Sequence, residues 1–147
     1  MRLFTRGAVA IVVAAATAVG AYALHDTAHA ATPTALGPGL VTVNVDIRYS
    51  KFSISTLHVQ PGTVVRFLVH NNDPIHHEFI VGDARVHFLH EHGTEAVHPP
   101  IPGEVSVNPQ DVGETFYAFD KPGRYLFACH LPGHFAYGMK GWVVVGA

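Results

Sequence analysis

The residues of this 147-residue chain that could do chemistry are concentrated in the stretch Cys129–Met139. Cys129 is the only cysteine, His134 follows it by five positions, and Met139, the only methionine besides Met1, follows by another five. A thiolate, an imidazole and a thioether are the donors of a mononuclear copper site with a weak axial sulfur. The spacing therefore predicts a loop that contributes three ligands to one metal ion.

A fourth ligand is expected from the upstream stretch His76-His77-Glu78-Phe79. Either histidine could bind, although alternation along a strand places His77 on the same face as Phe79 and gives it weak support. Two imidazoles, a thiolate and a distant thioether suit both Cu(I) and Cu(II) moderately well. The donor set thus indicates single-electron transfer rather than bond chemistry.

The N-terminal residues have the pattern of a secretory leader. Two arginines lie within Met1–Arg6, an apolar run covers Gly7–Leu24, and the small-residue site Ala28-His29-Ala30 follows. These are the three parts of a signal peptide, predicted here over residues 1–30. The alternative is an uncleaved membrane anchor, because 18 apolar residues just suffice to span a bilayer. Either reading predicts an exported domain: secreted, periplasmic or on the cell surface.

Export outside the cytoplasm restricts the possible roles of the single cysteine. A single cysteine cannot form an internal disulfide, so Cys129 is an intermolecular bridge, a buried inert thiol or a metal ligand. The fixed spacing to His134 and Met139 favours the metal ligand.

Composition and patterning predict one all-β domain over residues 40–147, after a flexible lead-in over 31–39. Charged residues make up only 14% of the chain, and a formal charge of −2 gives no basic patch for nucleic acid. About eight short apolar or alternating runs are separated by turn signals, which indicates an antiparallel sandwich. The runs are 41–47, 52–59, 64–69, 77–81, 104–107, 114–119, 124–128 and 142–145.

One loop, Gly82–Gly103, is too long for a hairpin and carries four histidines: His87, His90, His92 and His98. Loops of this length in compact domains are usually functional or partly disordered. The residues leave open a solvated polar loop or a second, exchangeable copper or zinc site at these histidines. The part from Ala84 to His90 could form a short helix or strand.

The chain resembles the cupredoxins, the small blue (type 1) copper proteins. The resemblance rests on the two stretches already quoted and on the strand order, and the Cys-x4-His-x4-Met spacing is similar to that of rusticyanin and the phytocyanins. It implies a Greek-key β-sandwich with one copper ion bound by His77, Cys129, His134 and the weak axial Met139. It also implies an electron carrier rather than an enzyme.

The resemblance further implies that His134 lies near the surface, ringed by Leu131, Pro132, Phe135 and Tyr137. Such an apolar ring would be a docking surface for a redox partner, although plain loop packing explains the same residues equally well. An alternative function is copper binding or delivery in metal homeostasis, through the histidine loop 87–98.

Enzymatic copper or zinc sites fit the sequence poorly. Ala128 replaces the histidine that would precede Cys129 in a multicopper oxidase, and a binuclear copper centre would need a second cysteine. A structural zinc site usually has more thiolates or clearly paired ligand spacing. A hydrolase reading of Cys129 and His134 would leave Met139 unexplained.

Overall fold

The structure, a computed structural model, describes residues 34–93 and 101–146. The expected leader over residues 1–30 and His98 lie outside these ranges. Within them, strands form where alternating or continuous apolar runs occur in the sequence. The elements are β1 (Gly39–Arg48), β2 (Lys51–Phe52), β3 (Thr56–Val59), β4 (Thr63–Asn71), β5 (His77–Gly82), α1 (Ala84–His92), β6 (Glu104–Val107), β7 (Val112–Phe119), β8 (Gly123–Ala128) and β9 (Lys140–Val145).

The strands form two sheets that enclose one core. The first sheet has the order β2-β1-β4-β7, and the second has the order β3-β9-β8-β5-β6. The predicted all-β sandwich is confirmed, with nine strands among the described residues. The prediction of an antiparallel sandwich was wrong for two strand pairs: β1 pairs with β4, and β3 pairs with β9, in parallel. Between the two strands of each parallel pair, the chain passes through the other sheet. The alternation of apolar and polar residues along a strand is the same for parallel and antiparallel pairing, so it does not predict strand direction.

Phenylalanine rings fill the space between the sheets. The ring centroid of Phe67 in the first sheet lies 4.8 Å from that of Phe79 in the second. The rings of Phe79 and Phe127 stack with their centroids 5.4 Å apart. All three are fully buried, and each contributes about 1.5–3 kcal/mol by leaving water. Phe79 is two positions after His77 and Phe127 two before Cys129, so the packed rings anchor the backbone on both sides of the candidate ligands.

Strand β5 is buried along its whole length because both of its faces are covered. Phe79 and Val81 face the core between the sheets, whereas Ile80, which is also fully buried, lies outside that core cluster. Helix α1 packs against β5. Its N-cap residue is Asp83, whose carboxylate accepts hydrogen bonds from the N–H groups of Arg85 and Val86. Of the two structures left open for this part of the loop, the helix is the one that forms.

Leu36, in the expected lead-in, is hydrogen-bonded to the chain around β3. Its N–H donates to His58 O at 2.9 Å, and its carbonyl oxygen accepts from Gln60 N at 2.8 Å. Within the described ranges, no helix has the length and apolarity needed to cross a membrane.

Gly141 provides a test of the packing between β9 and the core. A Cβ atom at this position would overlap the ring of Phe127 and lie 2.6 Å from Ser55 O. Gly141→Ala is expected to lower the free energy of unfolding of the metal-free protein by about 1–3 kcal/mol, through overpacking. Gly146→Ala is the matched control, because nothing lies within 4 Å of the added atom. Denaturant unfolding of both variants measures this, and equal midpoints would contradict it.

Candidate metal centre

The loop between β8 and β9 is folded by its own backbone so that its three candidate ligands are adjacent. Cys129 N donates to Met139 O at 3.1 Å, and Met139 N donates to His134 O at 3.0 Å. The backbone of Met139 therefore bonds to both of the other candidates. Gly133 and Gly138 both have φ of +84°, a conformation that residues with a Cβ rarely adopt, and they permit the tight turns.

His77 reaches the same place from the first position of β5. Its donor atom and those of Cys129 and His134 all lie within 4.8 Å of one another. Cys129 Sγ is 3.2 Å from His134 Nδ1, and the two imidazole rings are 4.8 Å apart. Among the described residues, this is the one group of three or more His, Cys, Asp or Glu side chains that could hold a metal ion.

The burial of the four predicted ligands differs in a way that suits a site near one end of the sandwich. Cys129 and Met139 are fully buried, His77 is 1% exposed, and His134 is partly exposed. His76, the alternative upstream ligand, is exposed and does not join the group. The structure therefore brings together the side chains of His77, Cys129 and His134. The fully buried Met139 makes backbone hydrogen bonds to Cys129 and His134.

Asp73 fixes the ring of His77. Its Oδ2 lies 3.0 Å from His77 Nε2, and since a carboxylate only accepts, Nε2–H is the donor. This leaves Nδ1 of the neutral ring with a lone pair, and Nδ1 is buried without a hydrogen-bond partner in the described structure. An orphaned buried nitrogen is costly, and a metal ion would satisfy it. A carboxylate that accepts a hydrogen bond from the far nitrogen of a metal-ligating imidazole is a frequent arrangement, and it fixes the orientation of the ring.

A small network holds Asp73 itself. Its two carboxylate oxygens accept from Tyr49 N at 2.7 Å and Ser50 N at 2.8 Å, both in the turn after β1. Asp73 N donates to Asn71 Oδ1 at 3.0 Å, and the Asn71 amide donates to Ile75 O at 2.8 Å. The loop before His77 is thus tied to β1 and to its own turn.

The protonation of these groups follows from their burial and contacts. Burial acts to raise the pKa of Asp73, but the N–H groups of Ser50 and Tyr49 and the His77 ring hold it below its usual value. Burial lowers the pKa of His77, although the hydrogen bond to Asp73 acts the other way, and burial also lowers the pKa of His134. Both imidazoles are therefore neutral at pH 7 and keep a lone pair for a metal.

Cys129 is held as a neutral thiol by its surroundings. Burial raises its pKa to about 12, against the opposing effect of the backbone N–H groups of Glu78 and Leu131. A thiolate in this place needs a compensating cation, and a metal ion supplies one by displacing the thiol proton. Glu78 is itself buried, and its Oε1 accepts from His130 N at 2.6 Å, which fixes the loop just after Cys129.

This donor set suits copper better than it suits metals that prefer oxygen donors. One soft sulfur and two imidazole nitrogens match the requirements of copper, whereas calcium and magnesium prefer oxygen donors. A site that is mostly buried also offers little room for a water ligand or a substrate. The arrangement suits an ion that changes oxidation state without changing its ligands.

The family assignment follows from a comparison with known proteins. A family model described as a cupredoxin-like domain matches residues 8–145. The chain belongs to the cupredoxin family. The predicted resemblance is confirmed, and the site described above lies within the matched residues.

Curated relatives of this cupredoxin include copper proteins from several bacteria. It is 37% identical over 98 residues to the copper-resistant cuproprotein CopI of Rubrivivax gelatinosus, covering 65% of this chain and 59% of that protein. It is 29% identical over 109 residues to auracyanin-B of Chloroflexus aurantiacus, covering 64% of this chain and 46% of that protein. The aligned region thus spans less than two thirds of the length of either relative.

Solved structures support the same fold. Auracyanin B superposes with a TM-score of 0.58 at 25% identity, covering 78% of this chain and 94% of that one. Auracyanin A, a "blue" copper protein from Chloroflexus aurantiacus, superposes with a TM-score of 0.58 at 25% identity, covering 74% of this chain and 100% of that one.

Among the described residues, His87, His90 and His92 of the long loop do not form a metal-binding group. His87 is buried and faces His130, while His90 Nε2 lies 3.2 Å from Glu104 Oε2. His92 is exposed, and its ring stacks on Phe88 at 4.3 Å. His98 lies outside the described residues, so the structure does not test its part in the predicted site.

Sequence reasoning missed the side chains that hold the ligands in place. Asp73 was not singled out from the sequence, and Glu78 was named only as part of the stretch His76-His77-Glu78-Phe79. A signal was available for Asp73, which stands four positions before His77 at the start of a strand. No sequence signal marked Glu78, because its bond to His130 N joins residues 52 positions apart.

Asp73→Asn tests the support of His77. The amide has one acceptor oxygen and no charge, so it cannot accept all three hydrogen bonds that Asp73 accepts. We expect the copper dissociation constant to rise by about 10–100-fold, as for other outer-shell partners of ligating histidines. Competition titration against a chelator measures the change. Asp120→Asn, at an exposed position, is the control, and equal affinities in the two variants would count against the role of Asp73.

Proposed function

We propose that this cupredoxin binds one copper ion through His77, Cys129 and His134, with Met139 as a weak axial ligand, and carries single electrons. The observation that carries the proposal is the convergence of one sulfur and two imidazole donors within 4.8 Å in a packed β scaffold. Bound copper would supply the one-electron couple between Cu(I) and Cu(II). The chain's own residues supply ligands, orientation and exclusion of water.

Rigidity is the main contribution of the protein to this function. Fully buried Phe79 and Phe127 lie two positions from His77 and Cys129, and Asp73 fixes the ring of His77. Ligands held in this way cannot rearrange much when the oxidation state changes. The reorganisation that accompanies each electron transfer is therefore small, which keeps the barrier low.

His134 provides the shortest path from the site to solvent, because it is the one partly exposed ligand. Around it, Pro132 is exposed and Tyr137 is 75% exposed, whereas Leu131 and Phe135 are half-buried. We propose that this surface docks a redox protein through a small and transient interface. On the leader pattern of residues 1–30, we also propose that this exchange takes place outside the cytoplasm.

A second candidate function is copper binding or delivery. The names of the CopI relatives associate those proteins with copper resistance, and the histidine-bearing segment 87–98 supplies further donor side chains. The two functions differ in redox behaviour. A carrier gives an intense thiolate-to-Cu(II) absorption and reversible one-electron voltammetry, whereas a delivery protein releases its metal readily to a chelator.

Replacing the sulfur ligand tests the metal centre. Cys129→Ser is expected to abolish the intense visible band, since the thiolate is the donor of the charge-transfer transition. Absorption spectra after addition of one equivalent of Cu(II) measure this, with His76→Ala as a control that should keep the band. A serine variant that remained intensely coloured would refute the role of Cys129.

Replacing the axial residue tests the assignment of Met139. Met139→Leu is expected to keep the colour and to raise the reduction potential, because a donor that favours Cu(II) is removed. Cyclic voltammetry of both proteins at the same pH gives the difference in potential. An unchanged or lowered potential would show that the thioether does not act as an axial ligand.

A further inference from the structure

A second pair of histidines meets at the start of the ligand loop. His87 Nδ1 of α1 lies 2.9 Å from Nε2 of His130, the residue that follows Cys129. His87 is only 5% exposed, and its ring is 5.2 Å from that of His130. The His90 ring is 6.2 Å from His130 and adjoins the same cluster.

The hydrogen bonds define which nitrogen of His87 is available. His87 Nε2 is 2.9 Å from Leu126 O, and because a carbonyl only accepts, Nε2–H is the donor. Nδ1 of the neutral ring therefore carries a lone pair directed at His130. An imidazole that donates one N–H to a carbonyl and presents its other nitrogen is the usual arrangement of a metal-ligating histidine.

The contact with His130 has two physical readings. In the first, His130 Nε2–H donates to His87 Nδ1. His130 Nδ1 is buried without a hydrogen-bond partner in the described structure under both readings, so this atom does not distinguish them. In the second, both facing nitrogens carry lone pairs that a cation shares. Two bonds of about 2.0–2.1 Å at a right angle place their nitrogens about 2.9 Å apart, which matches neighbouring corners of a tetragonal Cu(II) site.

The two rings also have access to solvent. A pocket of about 360 Å³ opens onto both rings, and its lining includes the acidic residues Asp83 and Glu91 as well as the cationic Arg124. Asp83, His87 and Glu91 are spaced four apart, so they share one side of α1 and its N-cap. Oxygen donors and water beside two imidazoles suit Cu(II) rather than Cu(I), and the pocket provides a path of entry.

We propose that the two imidazoles of His87 and His130 form a second metal site, which takes Cu(II) with water molecules completing the coordination. This site differs from the four-histidine cluster considered from the sequence, because it uses His130 and does not use His92. It goes beyond the electron-carrier function and does not require it. Since His130 adjoins Cys129 in the chain, a cation here would also raise the reduction potential of the first copper by favouring its less positive state.

The test is metal stoichiometry on the full chain, combined with two variants. Wild-type protein is titrated with Cu(II), dialysed and analysed for metal, and its visible and paramagnetic resonance spectra are recorded. We expect two ions per chain, of which one gives the intense visible band and the other an ordinary tetragonal nitrogen–oxygen signal. His87→Gln should lose the second ion and keep the band, and the matched control His92→Gln should bind two.

The visible band separates the two proposals. A missing band in wild-type protein would reject the first site, whereas one bound ion with the band present would reject the second. Retention of both ions by His87→Gln would also overturn the second site. The band in this variant reports that the domain has folded.

A second measurement does not depend on any variant. With the first site filled by Cu(I), wild-type protein remains diamagnetic, and Zn²⁺ then serves as the probe for the His87–His130 site. We expect the ring resonances of His87 and His130 to shift in nuclear magnetic resonance spectra while those of His92 stay in place. Unchanged His87 and His130 resonances would overturn the proposal.

Discussion

The antiparallel pairing of β5 with β8 is the constraint on which the candidate metal centre depends. Ile80 pairs with Ala128 and Val81 with Phe127, so the first residue of β5 and the residue after β8 lie at the same end of the sheet. His77 and Cys129 occupy these two positions, 52 residues apart in the chain. A register shift of one residue would turn either side chain to the other face, and the donors would no longer meet. The phenylalanine packing that fixes this register therefore also fixes the site.

A consequence of this construction is that the donors are assembled before any metal arrives. The cost appears as a buried imidazole nitrogen without a partner at His77. The Cys129 thiol, whose pKa burial raises to about 12, packs in the hydrophobic core while it is neutral, and both groups would gain from a cation. Metal binding and folding are thus linked, because an ion that binds only the folded protein stabilises it. The supports at Asp73 and Glu78 are polar groups that are themselves satisfied, so they orient the ligands without adding further unpaired atoms.

Much of the fold and the donor set could be predicted from the sequence because both leave local signals. Alternating runs such as Val41–Ile47 mark half-buried strands, and the lone Cys129 with His134 and Met139 at equal spacing marks a ligand loop. Strand direction could not be predicted, since a parallel pair such as β1 and β4 alternates in the same way as an antiparallel one. The contacts of Asp73, Glu78 and His130 could not be predicted either, because they join residues that only the sheet register brings together. The helix α1 was visible only as one of two options, because it is short and its His-rich sequence has no strong apolar stripe.

The central claim is that one copper ion is held jointly by the sulfur of Cys129 and the imidazoles of His77 and His134. Anomalous diffraction at the copper edge, from crystals of protein loaded with one equivalent of copper, tests it directly. The account predicts a single strong peak among these three side chains, with the surrounding strands in the positions described above. A peak elsewhere, or a peak that contacts only nitrogen and oxygen atoms, would contradict it.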